Sequence, residues 1–286
     1  MNSLSLFSGA GGGLLAEKYL LNWRSIGYVE YNTYCQKVIA QRIKDGFLDE
    51  APIFGDINGF IESGASKKYK GVVEVLTAGF PCPAYSVAGK REGKNSEKNL
   101  WKQTLAVIRD TRPKFALLEN VPGLLTVNAG EMFAQILSDL AEIGFDAEWE
   151  VISAKDIGCP HLRERVWIIA YPNSGCEPDG TLNGEQRQGK LGKDVADTES
   201  SIRAGINWRQ EPLERSPKPG YWPVKSILGR DLLDGVSAWM DEPDIPRVGF
   251  GIPDRSKRLK GIGNAIVPQI ATLIGQAILD VEIPKH

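Results

Sequence analysis

Seven short apolar runs, separated by polar turns and helix-compatible stretches, constrain this chain more than any other feature. They lie at residues 4–8, 26–30, 53–57, 72–79, 115–121, 147–153 and 166–171. Helical spacing of apolar residues occupies 14–21, 33–44, 101–110 and 132–143. A strand that is apolar almost throughout is buried on both faces, and helices between strands supply that cover. The expected class is α/β, a doubly wound and mostly parallel sheet.

At Pro172 the pattern stops. From there to about Gly251 the chain is rich in Gly, Pro, Asn, Gln and charge. That composition predicts a second, smaller, loop-rich module, with disorder between 173 and 201. Order returns near Arg258-Leu259-Lys260, and a helix expected over 270–281 would pack back on the first unit. The reading is therefore a first domain at 1–171, a module at 172–251, and a return to the first domain at 252–286.

Composition excludes some classes. No segment approaches the ~18 consecutive apolar residues of a membrane span, and the apolar run at residue 4 leaves no room for a leader. A formal net charge of -2 argues against a wholly electrostatic nucleic-acid binder, though not against a local basic surface. Cys35, Cys82, Cys159 and Cys176 have neither zinc nor disulfide spacing, which fits a reducing, cytoplasmic setting without metal. Cys35 sits on an apolar helical stripe and Cys159 is expected to pack.

The first run enters Ser8-Gly9-Ala10-Gly11-Gly12-Gly13, a turn whose glycines allow close backbone approach to a nucleotide. A tight structural turn explains the same residues, and Leu14 stands where a dinucleotide pattern requires glycine. Glu30, 19 residues after Gly11, closes the second run, where a carboxylate can accept ribose hydroxyls. Asp56 is read as ending the third strand, facing an adenine amino group, with Ile57 against the ring. Acids at strand ends also serve as solvated caps. The absence of a Walker lysine argues against a triphosphate.

Gly79-Phe80-Pro81-Cys82 ends the fourth run, Glu119-Asn120-Val121 the fifth, and His161-Leu162-Arg163-Glu164-Arg165 precedes the seventh. Near the C-terminus stands Gly263-Asn264-Ala265. In this order, together with Phe7-x-Gly9-x-Gly11 and Ser86-Val87-Ala88-Gly89, the set resembles the C5-cytosine DNA methyltransferases of bacteria and phages. The resemblance implies a Rossmann-like fold that binds S-adenosyl-L-methionine and acts on double-stranded DNA.

Cytosine C5 is a poor nucleophile, so thiolate addition at C6 must first turn the ring into an enamine. The resemblance gives that addition to Cys82, contact with ring N3 to Glu119, and the O2 oxygen to Arg165 with support from Arg163. Glu119 as a strand cap and both arginines as surface charges are the plain alternatives. Asn120 is expected to anchor the Cys82 loop. By resemblance the cofactor site comprises Phe7, Gly9, Ala10, Gly11, Gly12, Glu30, Tyr31, Asp56, Ile57, Phe80, Pro81, Leu100, Asn264 and Ala265.

The target base must leave its duplex to be reached. The basic loop around Lys90, Arg91 and Lys94 is expected to close over it, with Ser86 on a phosphate and His161 also facing DNA. Arg187, Arg203, Trp208, Arg209, Trp222 and Lys225 of the variable module would read the groove. The chain departs from the family at Pro83-Ala84-Tyr85, where Gln-Pro-Phe is usual, and at His161, where Gln is usual. Rival readings are a tRNA cytosine methyltransferase, a catalytically silent DNA-binding homologue and a nicotinamide-dependent dehydrogenase. A monomer, with a restriction endonuclease as genetic partner, completes the expectation.

Overall fold

The computed structural model describes residues 1–81, 99–157, 159, 162–173, 256 and 265–282, with side chains of the last stretch described through Asp280. Seven strands form one sheet: β1 (Asn2–Leu6), β2 (Arg24–Val29), β3 (Ile53–Phe54), β4 (Val75–Ala78), β5 (Phe115–Asn120), β6 (Phe145–Ser153) and β7 (Glu164–Pro172). Their spatial order is β3-β2-β1-β4-β5-β7-β6. The first five run parallel, and β7 lies antiparallel between β5 and β6. The expected doubly wound sheet is thus present, with one reversed strand that periodicity could not announce.

Helices cover both faces: α1 (Gly12–Leu15), α2 (Thr33–Lys44), α3 (Ile57–Glu62), α4 (Trp101–Thr111), α5 (Glu131–Glu142) and α6 (Pro268–Glu282). Alternation along the strands divides the core in two. Leu76, Ala78, Phe80, Ala116, Leu118, Val166 and Ile168 join one cluster with residues of α3, α4 and α5. Val75, Phe115, Leu117, Trp167 and Ile169 join the other, against Ile270, Ala271, Ile274 and Ile278 of α6. The C-terminal helix therefore does return to the first unit.

Local chemistry fixes several boundaries. Asn32 Oδ1 accepts the Tyr34 and Cys35 N–H groups and starts α2. The helix expected over 14–21 begins earlier, at Gly12, and widens to a π turn at Ala16–Leu20, where the Leu21 N–H reaches the Ala16 carbonyl. The third strand is shorter than expected and ends at Phe54. Asp56 begins α3 instead: its Oδ2 accepts the Gly59 N–H at 3.1 Å. A helix of six residues is too short to show a period in sequence.

Candidate active site

Strand order reverses between β1 and β4, and ligands of open α/β sheets bind at the carboxyl ends beside such a point. The Gly-rich turn leaves β1 there. Phe7, Gly9 and Gly11, alternate residues, hold φ of 55, 57 and 94°. The glycines take that left-handed backbone freely; Phe7 takes it against steric preference, a form of strain concentrated at functional sites. Ala10 is buried beneath the turn.

Glu30, immediately after β2, is buried and faces the turn. Its Oε2 accepts the Gly9 N–H at 2.6 Å and its Oε1 the Asn32 N–H at 2.6 Å. Burial raises its pKa, and those two N–H groups oppose the rise. Each oxygen keeps a second lone pair for a further donor. Tyr31, next in sequence, is 78% exposed. Asp56 is exposed while capping α3, and Ile57, in the first turn of that helix, is buried in the core of the α3–α5 face. Both differ from the expected strand-end placement.

After β4, Phe80 is buried against the Trp101 ring, with centroids 5.3 Å apart, and Pro81 is exposed. The Leu100 N–H meets the Pro81 carbonyl at 3.5 Å, and Asn120 Nδ2 donates to the Phe80 carbonyl at 3.0 Å. Pro81 and Leu100 are thus bonded to each other, and Phe80 is bonded to the end of β5. The expected anchoring role of Asn120 matches this bond.

Because β7 runs antiparallel to β5, its start lies beside the end of β5, with Glu119 opposite Trp167. Arg165, two residues before Trp167, shares that face and meets Glu119: Nε to Oε1 is 2.8 Å. Arg163 Nη2 donates to the Ala265 carbonyl at 2.6 Å. Burial raises the Glu119 pKa, opposed by the charges of Arg165 and Arg163. Burial likewise lowers that of Arg163, with Arg165 adding to the fall and Glu119 opposing it. A carboxyl whose neutral form burial favours holds its proton to higher pH than an exposed one and can hand it to a ligand.

Two close approaches were not readable in the sequence. A Cβ on Gly12 would lie 2.6 Å from the Ile266 carbonyl oxygen and 3.0 Å from Ala265 Cβ. A Cβ on Gly79 would lie 3.2 Å from Glu119 Oε2 and 3.8 Å from Ile266. Segment 265–267 thus seats on the Gly-rich turn while Arg163, one residue before β7, holds it at Ala265. Glycine at 79 is the available signal for the second contact; nothing in sequence pairs Gly12 with Ile266. Cys82, Ser86, Lys90, Arg91, Lys94, His161 and Asn264 lie outside the described residues, as does nearly all of the module at 172–251. Cys35 is buried and Cys159 packs, half-buried, against the α6 face.

Residues 1–211 match the family model for the C-5 cytosine-specific DNA methylase. The chain belongs to this family. It is 28% identical over 313 residues to the type II methyltransferase M.NgoMIV of Neisseria gonorrhoeae, covering 97% of this chain and 96% of that one. With M.NgoBI of the same organism it shares 31% identity over 242 residues, covering 82% of this chain and 71% of the relative. Among solved structures, the Entamoeba histolytica methyltransferase EhMeth superposes with a TM-score of 0.58 at 17% identity, covering 99% of each chain. The S. pombe Dnmt2 methyltransferase gives 0.55 at 15%, again over 99% of each. These two establish the fold. The chain is an enzyme of the DNA cytosine-C5 methyltransferase family.

Proposed function

We propose that this enzyme transfers a methyl group from S-adenosyl-L-methionine to C5 of a cytosine flipped out of double-stranded DNA. The observation that carries the reading is the Glu119–Arg165 pair, with Glu119 against Gly79, three residues before Cys82. The donor set fits a nucleoside cofactor. Glu30 offers two oxygens with unused lone pairs beside the Gly9 N–H, and the turn carries no lysine to claim a phosphate. Phe7, Gly9, Ala10, Gly11, Gly12, Glu30 and Tyr31 would hold it, with Asp56, Ile57, Phe80, Pro81, Leu100, Asn264 and Ala265 around them. When bound, the cofactor supplies an electrophilic methyl group on a sulfonium.

In this mechanism the Cys82 thiolate bonds to C6, and the electron pair displaced from the C5–C6 double bond becomes available at C5. Glu119 holds a proton at N3 as negative charge develops there, and Arg165 faces O2. After methylation, C5 loses its proton to water or hydroxide, the C5–C6 double bond returns, and the Sγ–C6 bond breaks. Arg163 acts at one remove, holding the Ala265 carbonyl.

Residues 172–251 are read as the target-recognition module, with Ser86, Lys90, Arg91 and His161 on the DNA. The same reading makes the protein a cytoplasmic monomer of bacterial or phage origin, whose genetic partner is a restriction endonuclease. Its test is methyl transfer from labelled cofactor to duplex DNA and, in parallel, to tRNA. Label in duplex DNA at cytosine C5 is the expected result. Label only in tRNA, or in neither, would overturn it.

A further inference from the structure

One buried acid has no part in that chemistry. Glu17 leaves the π turn after α1 and is 2% exposed. Its Oε2 accepts the Ser3 hydroxyl of β1 at 2.6 Å and its Oε1 the Thr77 hydroxyl of β4 at 2.9 Å. A Cβ built on Gly13 would lie 4.0 Å from Oε1, so the carboxyl sits directly under the Gly-rich turn. A small cavity of about 10 Å³ adjoins it, lined among others by Gly13, Thr77, Leu117, Trp167 and Ile266. Thr77, Leu117 and Trp167 lie two residues from Gly79, Glu119 and Arg165 on their own strands. Period-two alternation therefore stacks this cavity one layer beneath the candidate active site.

The cavity's lining is mostly apolar, with the Glu17 carboxyl, the Thr77 hydroxyl and two indole rings among it. Trp23 and Trp167, both lining it and at most 2% exposed, leave their indole N–H groups without a partner among the described residues. A void of this size holds one water, and buried donors are normally satisfied. We propose that Glu17 is the positioning residue of the methyl-donor turn, a hydrogen-bonded strut from the π turn to β1 and β4, with one water in the cavity beside it bonded to the indole N–H groups. The role rests on the turn binding the cofactor.

Burial raises the Glu17 pKa from 4.5 to about 7, opposed by the Ser3 and Thr77 hydroxyls and assisted by the charge of Asp49. Of the other groups nearby, Asp49 is paired with Lys18 and Tyr28 is neutral across this range. Below that pH the neutral acid draws in no water beyond the one in the cavity. Above it the buried carboxylate draws water under the turn and loosens it. Glu30 also titrates upward in the cofactor site itself, so pH dependence must be traced to one carboxyl by substitution.

The experiment is calorimetric titration of S-adenosylhomocysteine, whose sulfur is uncharged, into the full chain, Glu17→Gln and Thr77→Val. For the native chain the dissociation constant should rise roughly tenfold between about pH 6 and pH 8.5. Glu17→Gln should bind with the affinity of the native chain at the lower pH and show a flat profile. Thr77→Val, which keeps shape and loses one hydroxyl, should bind roughly three- to tenfold more weakly at the lower pH. A native-like profile in Glu17→Gln would assign the titration to Glu30 and overturn the role. So would Thr77→Val with a lowered Tm and unchanged affinity, which marks a purely structural hydroxyl. No binding by the native chain would instead overturn the cofactor reading, and the strut with it. A crystal structure should show one water between Glu17 and the two indoles; a dry cavity would remove it.

Discussion

Asn120 Nδ2 lies 3.0 Å from the main-chain carbonyl of Phe80, across the gap between β5 and β4 and two residues before Cys82. The bond ties the strand carrying Glu119 to the segment carrying the thiol. Glu119 and Asn120 are adjacent, so they leave β5 on opposite faces, one toward the arginines and one toward the Phe80 backbone. Asn120→Ala would leave that carbonyl without its partner, at a cost of roughly 1–3 kcal/mol. The expected result is a modestly lowered Tm with methyl transfer down by about 10- to 100-fold, since misplacing a reacting group by an ångström has that effect. Unchanged single-turnover rates would exclude the anchoring role.

Cys82→Ser tests the covalent step directly. The variant should bind S-adenosylhomocysteine as the native chain does and give no stable adduct with 5-fluorocytosine DNA. An adduct that survives denaturing electrophoresis would assign the nucleophile elsewhere.

The pH profile of transfer follows from Glu119. Burial raises its pKa, so the protonated acid persists to higher pH than an ordinary carboxylate allows. Turnover should therefore fall on the alkaline side as pH rises through the folded pKa. Glu119→Gln should lower kcat by roughly 100-fold or more and abolish that limb. An alkaline limb that persists in the variant would belong to another group.

Glu30→Ala removes an acceptor from the Gly9 and Asn32 N–H groups. Loss of bonds to an ionised group predicts cofactor affinity weaker by roughly 10- to 100-fold, measured by calorimetry. Affinity within twofold of native would take Glu30 out of the site.

Gly12→Ala places a methyl 2.6 Å from the Ile266 carbonyl oxygen, a backbone atom that cannot swing aside. Overpacking of this kind costs about 1–3 kcal/mol. Segment 265–267 should lift from the turn, lowering Tm and cofactor affinity together. Gly59→Ala, a helical glycine without a positive φ whose added Cβ meets only Asp56 Oδ2, at 3.8 Å, controls for loss of a glycine without the clash.

Periodicity carried the strands and most helices to within a few residues, because short apolar runs alternate with helical spacing along the first 171 residues. The span of α2 was legible to the residue, since Asn32 is a capping side chain and the apolar stripe ends at Lys44. Cys82, Glu119, Arg163 and Arg165 stand out in the sequence as residue types in a fixed order, and the structure brings Arg165 to Glu119. The role of Asp56 was not: the same carboxylate ends a strand or starts a helix according to whether the next turn closes, and here it closes.

Sequence by itself determined which side chains the enzyme owns and where each strand that carries them begins. Only the tertiary structure decided which of them meet. The reversed β7 brings Arg165 to Glu119, the C-terminal segment lays Ile266 on Gly12, and a π turn aims Glu17 between Ser3 and Thr77. Contacts across 46, 254 and 60 residues of chain depend on packing geometry, which no local pattern encodes.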